Sequence, residues 1–243
     1  VTAPVSSDWD ADRLSQFISA AQANEKLVCQ ELYKHEPRLS QIFDVFELCI
    51  DVLTHNAEPR IPAFMFHRAV GAFLGGCRLT MSGQFVEAHP VLRLCLELSL
   101  YSLHIHRNSE AGVVWENRAK SSTAYSKCRN EFGAGNVLRT LKGVDPKLGE
   151  VVERIYSDLV DFGAHPNIDA IYPSVSWKAS ATVEEYSTHL LVPPDNILMP
   201  FTLNQCARVS LKVLLIYCHV FTGRFEVLDV RGRVNVLGAG LPG

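Results

Sequence analysis

Arg93 and Glu97 stand four residues apart in a run where Leu92, Leu94, Leu96, Leu98 and Leu100 surround them. On a helix that spacing places both side chains on one face, and the apolar neighbours require them to be at least partly buried together. Taking two charges out of water is costly unless they pair and gain further hydrogen bonds, so each needs partners from other helices. The cation precedes the acid, the less favourable order for an i,i+4 pair, so local helix stabilisation is a poor reason for it. Two readings stand: a structural ion pair, or a polar site inside a helical bundle.

His165 closes the run Asp158-Leu159-Val160-Asp161-Phe162-Gly163-Ala164-His165-Pro166-Asn167, where Pro166 forbids helix continuation. A helix C-terminus and Asp161 one turn back would both favour a protonated imidazole, either as a cap or as a catalytic or binding histidine. Tyr101, His104 and His106 continue down the helix that carries Arg93 and Glu97, and Glu97 and His104 fall seven apart on one side. Arg93, Glu97 and His165 are therefore the candidate catalytic residues, with Tyr101, His104, Asp161 and Asn167 as candidate ligand contacts.

Neither Glu-x-x-His nor His-Glu-x-x-His occurs, so no metal is expected at these residues, and no cofactor. Nucleophile-elbow, phosphate-cradling and dinucleotide-binding glycine patterns are all missing. Gly133-Ala134-Gly135 reads as a loop. Seven widely separated cysteines with no C-x-x-C pair read as small buried hydrophobes of a reducing compartment. Arg118, Lys120, Lys127, Arg129, Arg139 and Lys142 make the middle of the chain locally basic, which reads as a solvated face.

The elements that must position these groups are helices, since between glycine and proline breaks the apolar residues recur at three and four. A first helix is expected from an Asp8 or Asp10 cap to about Lys34, and a second after Pro37 with the stripe Leu39, Ile42, Phe43, Phe46, Cys49, Ile50 and Leu53. A third, about 62 to 82, contains Gly71, Gly75 and Gly76, which let a neighbour approach closely. The segment 85–107 is apolar on nearly every face and should be the central helix. Shorter helices follow at about 111–120, 123–132 and 137–141. Asp145-Pro146 caps a longer one to about 164, and a last long helix spans about 197–222. Between them, 166–194 reads as an irregular or extended insertion, with a short hairpin as one form. The tail 223–243 is expected to be peripheral. The expectation is an all-α, multi-helix bundle in a single domain, 1–243.

At 47% hydrophobic residues and 20% charged, the chain can bury a core without disulfides or metals. A formal net charge of −3 gives no overall basic field, so binding to RNA would need a local basic patch. The opening residues carry Asp8 and Asp10 and no basic start, unlike a secretory signal. The most apolar stretch, 209–221, is interrupted by Lys212 and falls short of the roughly 18 residues a membrane span needs. A cytoplasmic protein is expected, with a protein partner or a second copy as possible company and no membrane.

The run from Gln84 to Leu98, followed by Tyr156-Ser157-Asp158-Leu159-Val160-Asp161-Phe162-Gly163-Ala164-His165-Pro166, resembles bacterial helical families of unknown function. In these an Arg-x-x-x-Glu helix precedes a helix that ends in a histidine turn. The similarity spans about 65–170 and extends distantly to the HEPN superfamily of helical bundles. Many of its members are metal-independent ribonucleases of defence or toxin systems, while others only bind or dimerise. The resemblance implies convergence of Arg93, Glu97 and His165. Active members carry Arg, four to six residues, then His on one helix; only Arg60 and His67 fit that spacing here, with Pro62 between them. The first expectation is therefore a non-enzymatic partner- or ligand-binding module, and the second a ribonuclease with His165 as general acid or base and Arg93 on the phosphate.

Overall fold

The protein is described by a computed structural model that covers residues 12–55, 58–164, 168–172, 175–179 and 184–241. Asp8 and Asp10 lie outside these residues, and the cap of the first helix is Asp12, whose carboxylate accepts from the amides of Leu14 (3.0 Å) and Ser15 (3.3 Å). Helix α1 is Arg13–Gln30 and stops before Lys34, with a single turn α2, Leu32–His35, following it. Glu36 then turns inward, buried, and binds the Arg38 guanidinium through both oxygens and the Asn204 amide (3.4 Å). That pairing satisfies an otherwise costly buried carboxylate and ties the turn to a helix far along the chain.

Helices α3 (Arg38–Thr54), α4 (Arg60–Met81) and α5 (Phe85–Arg107) follow the expected periodicity. The α3 stripe faces the core as predicted, with Ile42, Phe46, Cys49 and Leu53 fully buried. Close helix approach is realised at Gly76, where an added Cβ would lie 2.7 Å from Leu92 Cδ2, and at Gly75, 3.5 Å from Val91; Gly71 remains open apart from Arg68 at 3.9 Å. Gly83, at φ +91°, makes the turn into α5 and hydrogen-bonds the Val192 amide through its carbonyl (3.0 Å).

Helix α5 is central, packed on α4 and on the long α11 (Leu198–Tyr217), with Leu92, Leu96, Leu100 and Leu103 wholly inaccessible. It is not apolar on every side: Leu94 is exposed, and Arg93, Glu97 and Tyr101 are half-buried along one edge. An aromatic knot of Phe46, Phe66, Phe73, Tyr217 and Phe225 fills the middle, Phe66 meeting Tyr217 edge-on at 4.8 Å. The Tyr217 hydroxyl, fully buried, shares a hydrogen bond with Ser102 at 3.0 Å, the partner a sequestered phenol needs.

Around α5 lie α6 (Ser109–Glu116), α7 (Ser122–Glu131), α8 (Ala134–Val144) and α9 (Pro146–Leu159). Gly133 is not part of a loop but caps α8, and Ala134 and Gly135 are its first turn. Asp145 caps α9 as expected, accepting from the Leu148 amide at 3.0 Å ahead of Pro146. The last turn of that rod is π-helical, Val160–Ala164. After a single turn α10 (Ile168–Ile171), the insertion holds an antiparallel pair, β1 Val175–Ala179 and β2 Glu184–Thr188, in register from Val175↔Thr188 to Ala179↔Glu184. The tail is not peripheral: α12 (Thr222–Val227) and α13 (Val230–Gly238) fold back and bury Phe225, Val230 and Val234. Helix α13 packs on α3 and α11, and α12 sets Phe225 against Phe66 of α4. The architecture is an all-α bundle, and among the described residues no helix is long and apolar enough to cross a membrane.

Candidate functional site

Arg93 and Glu97 pair as their spacing predicts, Nε to Oε1 at 3.3 Å, with side chains 28% and 23% exposed. Partial burial raises the value of the pair and also the need for a further partner. That partner is Tyr156 on α9, whose hydroxyl donates to Glu97 Oε1 at 2.9 Å. Burial, then the Glu97 charge, pushes the Tyr156 phenol up to about 12. Tyr101, one turn beyond Glu97, is raised by burial first and by the same carboxylate second. Both phenols are therefore held neutral near one carboxylate, to which Tyr156 donates.

Tyr156 was not singled out as a site residue from the sequence. Its signal is faint: on α9 the buried residues Val152, Ile155 and Leu159 define the core face, and Tyr156 sits at its margin. Only docking of α9 beside α5 brings it to Glu97.

His104 does not join this cluster. It is buried, with Nε2 against Glu131 Oε1 at 3.0 Å and Nδ1 against Thr140 Oγ1 at 2.8 Å, and its ring meets Phe132 edge-on. The carboxylate makes Nε2 the donor, and Asn108 donates to the same oxygen at 3.4 Å. The arrangement joins α5 to α7 and α8. Asp161 is exposed on the π-helical turn. His165 and Asn167 lie outside the described residues. Arg60 and His67 are both exposed on α4. No group of three potential ligands among the described residues could hold a metal ion.

Tyr101 also lines a small cleft of about 160 Å³ with Trp115, Tyr125 and Phe132, flanked by Arg118 and Arg129. The rings of Tyr101 and Phe132 lie 4.8 Å apart, and the Arg118 guanidinium sits 5.8 Å over the Tyr125 ring, which is 52% exposed. The helices that carry these groups are held by local caps: Asn108 accepts from the Glu110 amide and Ser121 from the Ala124 amide. The segment 117–143 contains six Lys and Arg against one acid, Glu131. Lys142 is paired with Glu153 at 2.7 Å, whereas Arg118, Lys120, Lys127 and Arg129 are exposed with no carboxylate partner among the described residues. The exposed cations are those of a solvated face, and two of them, Arg118 and Arg129, stand beside four aromatic rings.

Comparison of the chain with protein-family models, with curated proteins and with solved structures finds no match in any of the three.

Proposed function

We propose that this protein is a non-enzymatic helical binding module that takes an anionic partner on the face formed by α5, α6 and α7. The observation that carries the reading is the junction at Tyr101. On one side Arg93, Glu97 and Tyr156 form a charge-compensated, hydrogen-bonded cluster; on the other two cations without a carboxylate partner among the described residues, Arg118 and Arg129, flank an aromatic cleft. Unpaired cations attract an anion, and exposed rings beside them give it an apolar surface to rest on. At about 160 Å³ the cleft is smaller than the roughly 300–1,000 Å³ of pockets that enclose a small molecule, so it fits one group of a larger partner. An acidic protein segment carrying an aromatic or aliphatic side chain suits these features.

A labelled acidic peptide with one aromatic residue, titrated by fluorescence anisotropy at several salt concentrations, tests this. Binding that weakens with salt and drops at least tenfold in Arg118→Glu and Arg129→Glu supports the module; binding indifferent to both substitutions removes this face from consideration.

The same cations and rings also suit a single-stranded phosphodiester chain, so a HEPN-like ribonuclease is the second reading, with His165 as acid or base and Arg93 on the phosphate. Cleavage of mixed cellular RNA in chelator, lost in folded His165→Ala and Arg93→Ala, would establish it in place of the first. An absence of cleavage by the wild type over a wide concentration range would leave the binding module.

A further inference from the structure

Helices α11 and α13 enclose a second cavity of about 180 Å³, on a different part of the bundle from the face described above. Its apolar walls are Leu211, Leu215, Val234 and Leu241, and its polar groups are Arg208, Lys212 and Asn235. Arg208 and Lys212 are one turn apart on α11, so two like charges share a face, an arrangement that destabilises a helix. No carboxylate lines the cavity. Arg208 donates to the Gln205 side chain at 3.0 Å, yet its Nε is buried with no hydrogen-bond partner among the described residues. Lys212 is half-buried and forms no ion pair among the described residues; burial, and next the Arg208 charge, lower its pKa.

Leaving a buried donor unsatisfied is costly, and partly burying two adjacent cations adds to that cost. Neither helix needs the pair, since Leu211 and Val234 already supply the packing between them. What the cavity lacks is an anion. We infer that the α11–α13 cavity is a binding site for a small amphiphilic anion, its oxyanion head between Arg208 and Lys212 and a short apolar chain against Leu211, Leu215 and Val234. The guanidinium and the ammonium, both lining the cavity, supply charge and donors to the head, and Asn235 at the exposed rim can donate one further hydrogen bond.

The shared chemistry is an oxyanion on a short hydrocarbon, which a carboxylate or a phosphate ester could supply. Isothermal titration of the full chain with hexanoate, hexyl phosphate, inorganic phosphate and 1-hexanol separates these sources. The expected result is that one or both of the six-carbon anions binds, with neutral hexanol and inorganic phosphate each at least tenfold weaker. Lys212→Met and Arg208→Met each weaken that binding at least tenfold, and Lys147→Met, on an exposed lysine of α9, leaves it unchanged. Lys212→Met keeps the apolar stem and removes the like-charge contact, so its melting temperature should equal or exceed that of the wild type, which shows that lost binding is not lost folding. Hexanol binding as tightly as hexanoate would overturn the site as an anion site. Equal binding of inorganic phosphate would overturn its amphiphilic character. Anion binding unaffected by both methionine variants, or no binding into the millimolar range, would overturn the inference altogether.

Discussion

The phenol of Tyr156 completes what Arg93 and Glu97 begin. Their Nε–Oε1 separation of 3.3 Å is long for a hydrogen bond, and the 2.9 Å bond from Tyr156 is the closer of the two contacts at Glu97. Tyr156→Phe should lower stability by about 1 kcal/mol, less than the roughly 1.5–3 kcal/mol of a sequestered hydrogen bond to a charged group because the cluster is partly exposed. Urea unfolding checks this, and the same substitution in a Glu97→Gln background should cost clearly less, since the two act through one bond. The Tyr156 pKa, raised from about 10 to about 12, also sets a pH window. A folded pKa above the unfolded one contributes stability that is complete below pH 10 and is lost as pH rises toward 12. Ultraviolet titration should therefore show one fewer late-ionising phenol in Tyr156→Phe than in the wild type, where Tyr101 and Tyr217 are raised as well. Arg93 and Glu97 were legible in the sequence because two charges in an apolar helix are anomalous on their own. Tyr156 was not, because a contact between residues 59 apart leaves no local pattern.

At the scale of elements, α5 shows how one helix accommodates a break in its own ladder. Pro90 has no N–H, so the Val86 carbonyl loses its usual intrahelical donor. The π-helical turn packs there through Gly163: a Cβ at this position would overlap the Val86 carbonyl oxygen and lie 3.0 Å from His89 Cβ. Gly163→Ala should therefore destabilise the protein by about 2 kcal/mol, the scale of forced overpacking against backbone that cannot rotate away. Gly71→Ala, on the exposed side of α4 with only Arg68 nearby, should instead stabilise by about 0.5–1 kcal/mol. Thermal and urea unfolding of the two variants side by side tests both signs. The sequence marked Gly71, Gly75 and Gly76 alike as places of close approach. Packing separates them, because only the glycines that face α5 have a neighbour to receive.

The whole molecule carries histidines, His89 the most deeply buried of them, whose charging opposes folding. His89 donates Nδ1–H to the Phe85 carbonyl at 2.7 Å and keeps Nε2 buried without a hydrogen-bond partner among the described residues; burial lowers its pKa. Partial desolvation also lowers the exposed His106 and the half-buried His219, the latter against an opposing pull from Asp145 at 3.4 Å. A histidine with a folded pKa below its unfolded value near 6.5 contributes stability that is present above that value and lost as pH falls. The urea midpoint should accordingly be flat from pH 8 to 7 and decline from pH 6.5 to 5, with a shallower decline in His89→Leu. A midpoint that rises on acidification would contradict the burial assigned to these rings.

Residue spacing alone was enough for the helical class and most helix positions, the pairing of Arg93 with Glu97, and the centrality of α5. These depend on spacing along one helix, where 3.6 residues per turn leaves no choice. The sequence also placed the Asp145-Pro146 start to the residue, because a cap is a local hydrogen bond. Tertiary structure decided the rest. His104 was drawn to Glu131 and Thr140 rather than to Glu97, Arg118 and Arg129 were set beside four rings, and α13 folded onto α3 and α11. Such outcomes depend on which helices meet and at what rotation, and that is settled by the joint burial of many apolar side chains, a sum no single segment encodes.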